Sequence, residues 1–85
     1  MTRIILGATA QREYKKLPKE ARITISEIFL GEFAHNPFSP TLDIKKLRAP
    51  FVGYRLRSGQ YRVLFTFASG TVYVYKIRNR KDAYK

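Results

Sequence analysis

Apolar residues follow two different periods along this chain, and the change between them separates a helical half from a strand half. Arg3 to Leu6 is a short apolar run that suits a strand, and Gly7 breaks it. Thr9 is then a candidate helix N-cap. Ala10, Tyr14 and Leu17 follow at helical spacing and predict a short helix over 9–17. Pro18 suits the first position of a second helix. Ala21, Ile25, Ile28, Phe29 and Phe33 recur at steps of three and four, while Glu20, Arg22, Glu27 and Glu32 fall elsewhere on the wheel. His35-Asn36-Pro37 ends this helix, because the residue before a proline disfavours helical geometry. An antiparallel helix pair is expected, each member with one apolar face.

Residues 36–53 contain Pro37, Pro40, Pro50 and Gly53 and are expected to form a long loop that carries Lys45, Lys46 and Arg48. Three dense runs follow, Tyr54 to Arg57, Tyr61 to Phe67 and Thr71 to Arg78, rich in Val, Tyr and Phe. Gly59-Gln60 and Ser69-Gly70 suit tight two-residue turns. The runs are therefore expected to form an antiparallel meander. With Gly59-Gln60 as the turn, Ser58 pairs with Tyr61 and Arg57 with Arg62. Arg55 shares their side, so three guanidinium groups leave one face of one hairpin. Tyr54, Leu56, Tyr61, Val63, Phe65, Phe67, Val72 and Val74 take the other face, toward the helices. Leu64, Thr66, Tyr73, Tyr75 and Ile77 are expected among the arginines. Residues 79–85 form a polar tail with Arg80 and Tyr84, poorly anchored and easily moved.

The expected architecture is α+β: an N-terminal strand and a helical hairpin packed on a small antiparallel sheet. At 85 residues the chain is expected to be one domain, 1–85. A domain of that size buries roughly 60–65% of its unfolded surface, so its core is thin. With no cysteine there are no disulfides or thiolate sites, and a reducing cytoplasm is the expected compartment. The opening apolar run is too short for a signal peptide or a membrane span, and no membrane partner is expected.

Charge changes the picture most. The net charge is +11, with 17 Lys and Arg against 6 Asp and Glu. Residues 1–42 carry net +2, whereas residues 43–85 carry net +9. Such a field favours a polyanion. Like charges opposed across a sheet are destabilising. The sequence offers no Asp or Glu between Asp43 and Asp82 to pair with the three arginines. A local conflict of that kind marks a functional site. Arginine also offers a planar fork that fits phosphate and stacks on bases.

The reaction classes are narrowed by what is missing. His35 is the one histidine and stands at a helix end, so a paired-histidine ribonuclease mechanism is excluded. No acidic cluster has metal spacing and no glycine-rich phosphate loop occurs; neither metal nor cofactor is expected. Attack by an RNA 2′-hydroxyl on its own phosphodiester stays open. It needs strand positioning and stabilisation of charge on the phosphorane oxygens, which arginines supply. A tyrosine beside several arginines is a candidate base.

The stretch from Leu47 to Phe65, with Tyr54-Arg55-Leu56-Arg57 and then Gly59-Gln60-Tyr61-Arg62, resembles the RelE/ParE toxin superfamily. So does the ending Ile77-Arg78-Asn79-Arg80-Lys81-Asp82-Ala83-Tyr84. With the helix pair, the resemblance covers nearly the whole chain. It implies a type II toxin of the RelE kind, a metal-independent endoribonuclease that cuts mRNA in the A site of the 30S ribosomal subunit. It implies a RelB-like antitoxin partner, and a toxin–antitoxin complex that binds operator DNA through the antitoxin. By the same resemblance Arg55 and Arg57 match the two basic positions of the first catalytic strand, where RelE has lysines. Arg62 matches the transition-state arginine, Arg80 the arginine near the leaving group, and Tyr84 the tyrosine that orients or activates the attacking nucleotide. Lys45, Lys46, Arg48, Arg78 and Lys81 are expected to bind RNA. Asn79 stands where many relatives have histidine, which argues against histidine catalysis. The rival readings are a ParE-like inhibitor of gyrase, whose relatives generally lack the full basic and tyrosine set, and a non-catalytic RNA-binding module.

Overall fold

A computed structural model describes residues 2–84; Met1 and Lys85, the latter the last residue of the expected tail, lie outside the described residues. Strand β1 (Arg3–Leu6) leads into helix α1 (Ala8–Lys15), helix α2 (Lys19–Leu30) and a one-turn helix α3 (Glu32–His35). Strands β2 (Asp43–Lys46), β3 (Tyr54–Ser58), β4 (Tyr61–Ala68) and β5 (Thr71–Asn79) complete the chain. They form one sheet in the order β1-β5-β4-β3-β2. The meander β3-β4-β5 is antiparallel as expected, and β1 joins it parallel to β5, so the sheet is mixed. No helix among the described residues is long and apolar enough to cross a membrane.

The helix ends differ in detail from the sequence expectation. Gly7, not Thr9, is the N-cap of α1, and its carbonyl accepts the first helical bond from Gln11 N–H at 2.9 Å. The chain runs so close to Tyr73 there that a Cβ on residue 7 would collide with the phenol hydroxyl. Pro18 caps α2 from just outside it. The predicted second helix is interrupted at Gly31, and α3 continues the same apolar stripe so that Phe33 still reaches the core.

That core is the contact of the helix stripe with one face of the sheet. Ala10, Leu17, Ile25 and Phe33 meet Leu56, Val63, Phe65, Val72, Val74 and Ile77. The Phe33 ring stands edge-on to Phe65 with centroids 5.0 Å apart. The predicted inward set is right, except that Phe67 lies at the rim, 38% exposed against Phe38. Ile77 is a correction: it is buried in the core rather than placed among the arginines. The pairing runs Leu64 with Lys76 but Phe65 with Val74, so Tyr75 is an extra residue in β5. Such a bulge inverts the facing of everything beyond it. Ile77 therefore opposes Val63, and Arg78 opposes Arg62.

The loop expected over 36–53 contains a strand. β2 pairs antiparallel with β3, setting Asp43 opposite Arg57 and Lys45 opposite Arg55. Its one apolar residue, Ile44, packs on the core, and its remaining residues are charged. Charge of that kind is usual on an edge strand. The tail is also anchored, contrary to expectation. Arg80 N–H donates to the Gln60 carbonyl at 2.7 Å, and Ala83 is completely buried.

Candidate nucleic-acid interface

The hairpin register places the arginines. Ser58 pairs with Tyr61 and Arg57 with Arg62, as the turn at Gly59-Gln60 predicts. Gly59 takes a positive φ of 58°, which glycine adopts without steric cost. Arg55 lies on the same side, opposite Leu64. The tail then folds back along Gln60 and brings Arg80 and Tyr84 to the same face. The five residues singled out from the sequence therefore converge.

Electrostatics registers that convergence at Arg62. Its guanidinium is held below the ordinary arginine value, first by partial desolvation, then by the positive charge of Arg57 and, more weakly, of Arg55 and Arg80. Tyr84 acts in the opposite direction. Arg62 stays charged at any physiological pH, so its surroundings raise its readiness to take an anion rather than remove its charge. Its Nη1 donates to the carbonyls of Gly59 at 2.9 Å and Tyr61 at 3.0 Å. Those bonds point the guanidinium back on its own turn.

The arginines also have an acidic neighbour, which the sequence reading excluded. Asp43 Oδ2 lies 2.5 Å from Arg57 Nε, and Oδ1 lies 3.5 Å from Arg55 Nη1. The sequence pattern leaves Asp43 inside a loop. As part of β2 it stands directly across from Arg57.

Beside the arginines lies a cleft of about 380 Å³ bordered by Lys45, Lys46, Arg48, Phe51, Arg55 and Tyr84. Five of the ten expected site and RNA-binding residues, Arg55 among them, thus border one hollow. By register Lys45 shares the side of Arg55, whereas Lys46 opposes Tyr54 and starts from the other side. Lys81 is exposed on the tail. Arg78 is engaged elsewhere: its Nε donates to Glu13 Oε2, while Glu13 Oε1 accepts the Ile77 N–H at 3.0 Å. Glu13 thereby closes the part of β5 that β1 does not reach.

Two aromatic residues complete this site: Phe51, which had no expected role, and Tyr75, expected among the arginines but without a partner. The Phe51 ring meets Tyr84 edge-on, with centroids 5.5 Å apart. Tyr75, the bulge residue, donates its hydroxyl to the Val52 carbonyl at 2.7 Å and so ties the loop bearing Phe51 to the sheet. Burial pushes the Tyr75 phenol up, more than the Val52 bond lowers it. The hydroxyl therefore remains a donor across the neutral range. Loss of the hydroxyl in Tyr75→Phe should lower stability by about 0.5–1.5 kcal/mol, read as a shift in the urea midpoint. An unchanged midpoint would show that this bond does not hold the loop. Among the described residues, no group of three or more His, Asp or Glu side chains is arranged to hold a metal ion.

No family model matches the chain, and no curated protein matches it significantly. Solved structures do. The RelB-RelE antitoxin-toxin complex of Methanococcus jannaschii contains a chain 26% identical, with a TM-score of 0.79 over 94% of each chain. The RelBE2 toxin-antitoxin complex of Mycobacterium tuberculosis matches at 26% identity and a TM-score of 0.80, covering 93% of this chain and 98% of that one. The intact RelBE complex of E. coli matches at 22% identity and 0.73, over 93% and 96%. A mixed five-stranded sheet with its N-terminal helices is thus shared with known toxins at the level of the fold, and the chain has the fold of the RelE-type toxin superfamily that its sequence resembles.

Proposed function

We propose that this protein is the toxin of a type II toxin–antitoxin pair and an endoribonuclease that cuts mRNA in the ribosomal A site. The observation that carries the reading is the convergence of Arg55, Arg57, Arg62, Arg80 and Tyr84 on one face of a toxin fold. The RNA 2′-hydroxyl loses its proton as its oxygen attacks the adjacent phosphorus, the bond to the 5′-oxygen breaks and that oxygen takes up a proton, and a 2′,3′-cyclic phosphate remains. Arg55 and Arg57 hold the phosphate. Arg62 turns from its own carbonyls to the phosphorane oxygens, where negative charge grows. Arg80 lies beside the leaving oxygen, and Tyr84 orients or activates the attacking nucleotide. Lys45, Lys46, Arg48 and Lys81 guide the strand electrostatically. The arginines supply the positive charge that a metal would otherwise bring, so none is required.

The arginine face and the cleft beside it lie open to solvent, so alignment of the strand falls to the decoding centre. An acidic RelB-like antitoxin covers the face when the toxin is idle, as the complexed state of the structural neighbours suggests. Operator DNA is reached through that antitoxin.

The test is cleavage of mRNA on purified ribosomes. Ribosome-bound mRNA should be cut much faster than free mRNA. Cutting should survive EDTA at a concentration that leaves the ribosome intact. The products should end in a 2′,3′-cyclic phosphate or its 3′-phosphate hydrolysis product. A 3′-hydroxyl end would refute the mechanism. Absent cleavage combined with inhibition of gyrase supercoiling would assign the ParE-like activity instead.

A further inference from the structure

Asp43 is an acidic side chain held by two of the hairpin arginines, at the edge of the face proposed to take RNA. Its two oxygens are divided between Arg55 and Arg57. A carboxylate offers a guanidinium the same paired acceptors as a phosphate does. The pair is accessible: the Asp43 side chain is 41% exposed and that of Arg57 55%. Exposed ion pairs are weak and exchange readily. Arg55, by contrast, is only 13% exposed. It is fixed in place, whereas Arg57 is free to swing.

Side-chain length sets the direction of that exchange. Asp43 has a single methylene and starts from the edge strand, so it cannot follow an arginine outward. Arg57 has three methylenes and can leave Asp43 for an anion above the sheet. Asp43 also relieves the repulsion among opposed arginines that the empty sheet would otherwise bear.

We propose that Asp43 is an internal counter-ion that occupies the Arg55–Arg57 phosphate seat in the empty protein and is displaced by a phosphodiester of single-stranded RNA. It deepens the proposed function by naming what the substrate must displace, and it rests on that reading of the face. Asp43 acts through the arginines and is a positioning residue. It lowers the affinity for stray RNA, leaving tight engagement to a strand already aligned by another body.

The test uses the full chain and a 2′-O-methylated single-stranded RNA oligonucleotide, which lacks the attacking hydroxyl, without ribosomes. Asp43→Asn should bind it about fivefold tighter than wild type, the upper range for an exposed ion pair. Glu27→Gln, an equal charge change on the exposed side of α2, should alter affinity by less than about twofold at physiological salt. In an Arg57→Gln background the gain from Asp43→Asn should shrink to less than about twofold, because the pair no longer exists. In wild-type protein the Asp43 carboxylate carbon resonance should move with the same midpoint as binding. Equal or weaker binding by folded Asp43→Asn overturns the proposal, and so does a carboxylate resonance unmoved at saturation. If the variant fails to fold, the resonance alone decides. Displacement of Asp43 by the oligonucleotide with no cleavage on ribosomes would remove the proposed reaction and leave this inference standing. Cleavage with Asp43 unmoved would do the reverse.

Discussion

Arg62→Ala should slow mRNA cleavage on ribosomes about 100- to 1,000-fold under single-turnover conditions, the loss typical of one transition-state donor. The fold should survive. Arg62 donates to two carbonyls of its own turn, at 2.9 and 3.0 Å, and losing both bonds destabilises. Their loss is offset because Arg62 stands beside Arg57, Arg55 and Arg80, all of its own sign. The Gly59 carbonyl lies at the exposed turn and can bond water instead. We therefore expect a thermal midpoint within a few degrees of wild type. The charge that Arg62 meets is fully developed only as the phosphorane forms, so the loss should appear in the chemical step more than in RNA affinity. A variant that cuts at the wild-type rate would take Arg62 out of the reaction.

Phe65→Ala should abolish the fold rather than the chemistry. Phe65 is completely buried and joins the rings of Phe33, Phe38 and Tyr54. Truncating a buried Phe typically destabilises by about 3–5 kcal/mol. At about 0.05–0.15 kcal/mol per residue, a chain of this size has only some ~4–13 kcal/mol in total. The core is one layer of helix on one sheet, so opening this cluster leaves little to hold the molecule together. Circular dichroism of the variant at 37 °C should show most of the native signal lost. A cooperative melt at the wild-type temperature would show that the Phe65 ring cluster does not hold the helices on the sheet.

What could be read in the sequence was whatever short-range geometry decides. The helix stripe from Ala21 to Phe33 and the turn at Gly59-Gln60 each act within a few residues. A two-residue turn then fixes the register of a whole hairpin, and the arginine face followed from it. The features that escaped depend on partners distant in sequence. β2 has one apolar residue in four and becomes a strand because β3 lies beside it. Asp43 consequently looked isolated, although its counterpart Arg57 is opposite it in the sheet. The bulge at Tyr75 has no local mark, since the alternation in Val72, Val74 and then Ile77 is broken by one step in the middle of a uniformly β-rich run. The tail is rich in polar residues, and only the three-dimensional structure shows Ala83 sealed beneath it.

The character of β2 has a consequence for self-association. A sheet with a free edge invites a second copy to extend it, and β2 is one of the two outer strands. Three of the four β2 residues are charged, so a second copy added along this edge would have to strip water from Asp43, Lys45 and Lys46, with Lys45 beside the arginine face. Charged edge strands resist pairing of that kind. The strand that the hydrophobic pattern hides is thus also the one that discourages the molecule from building fibres of itself.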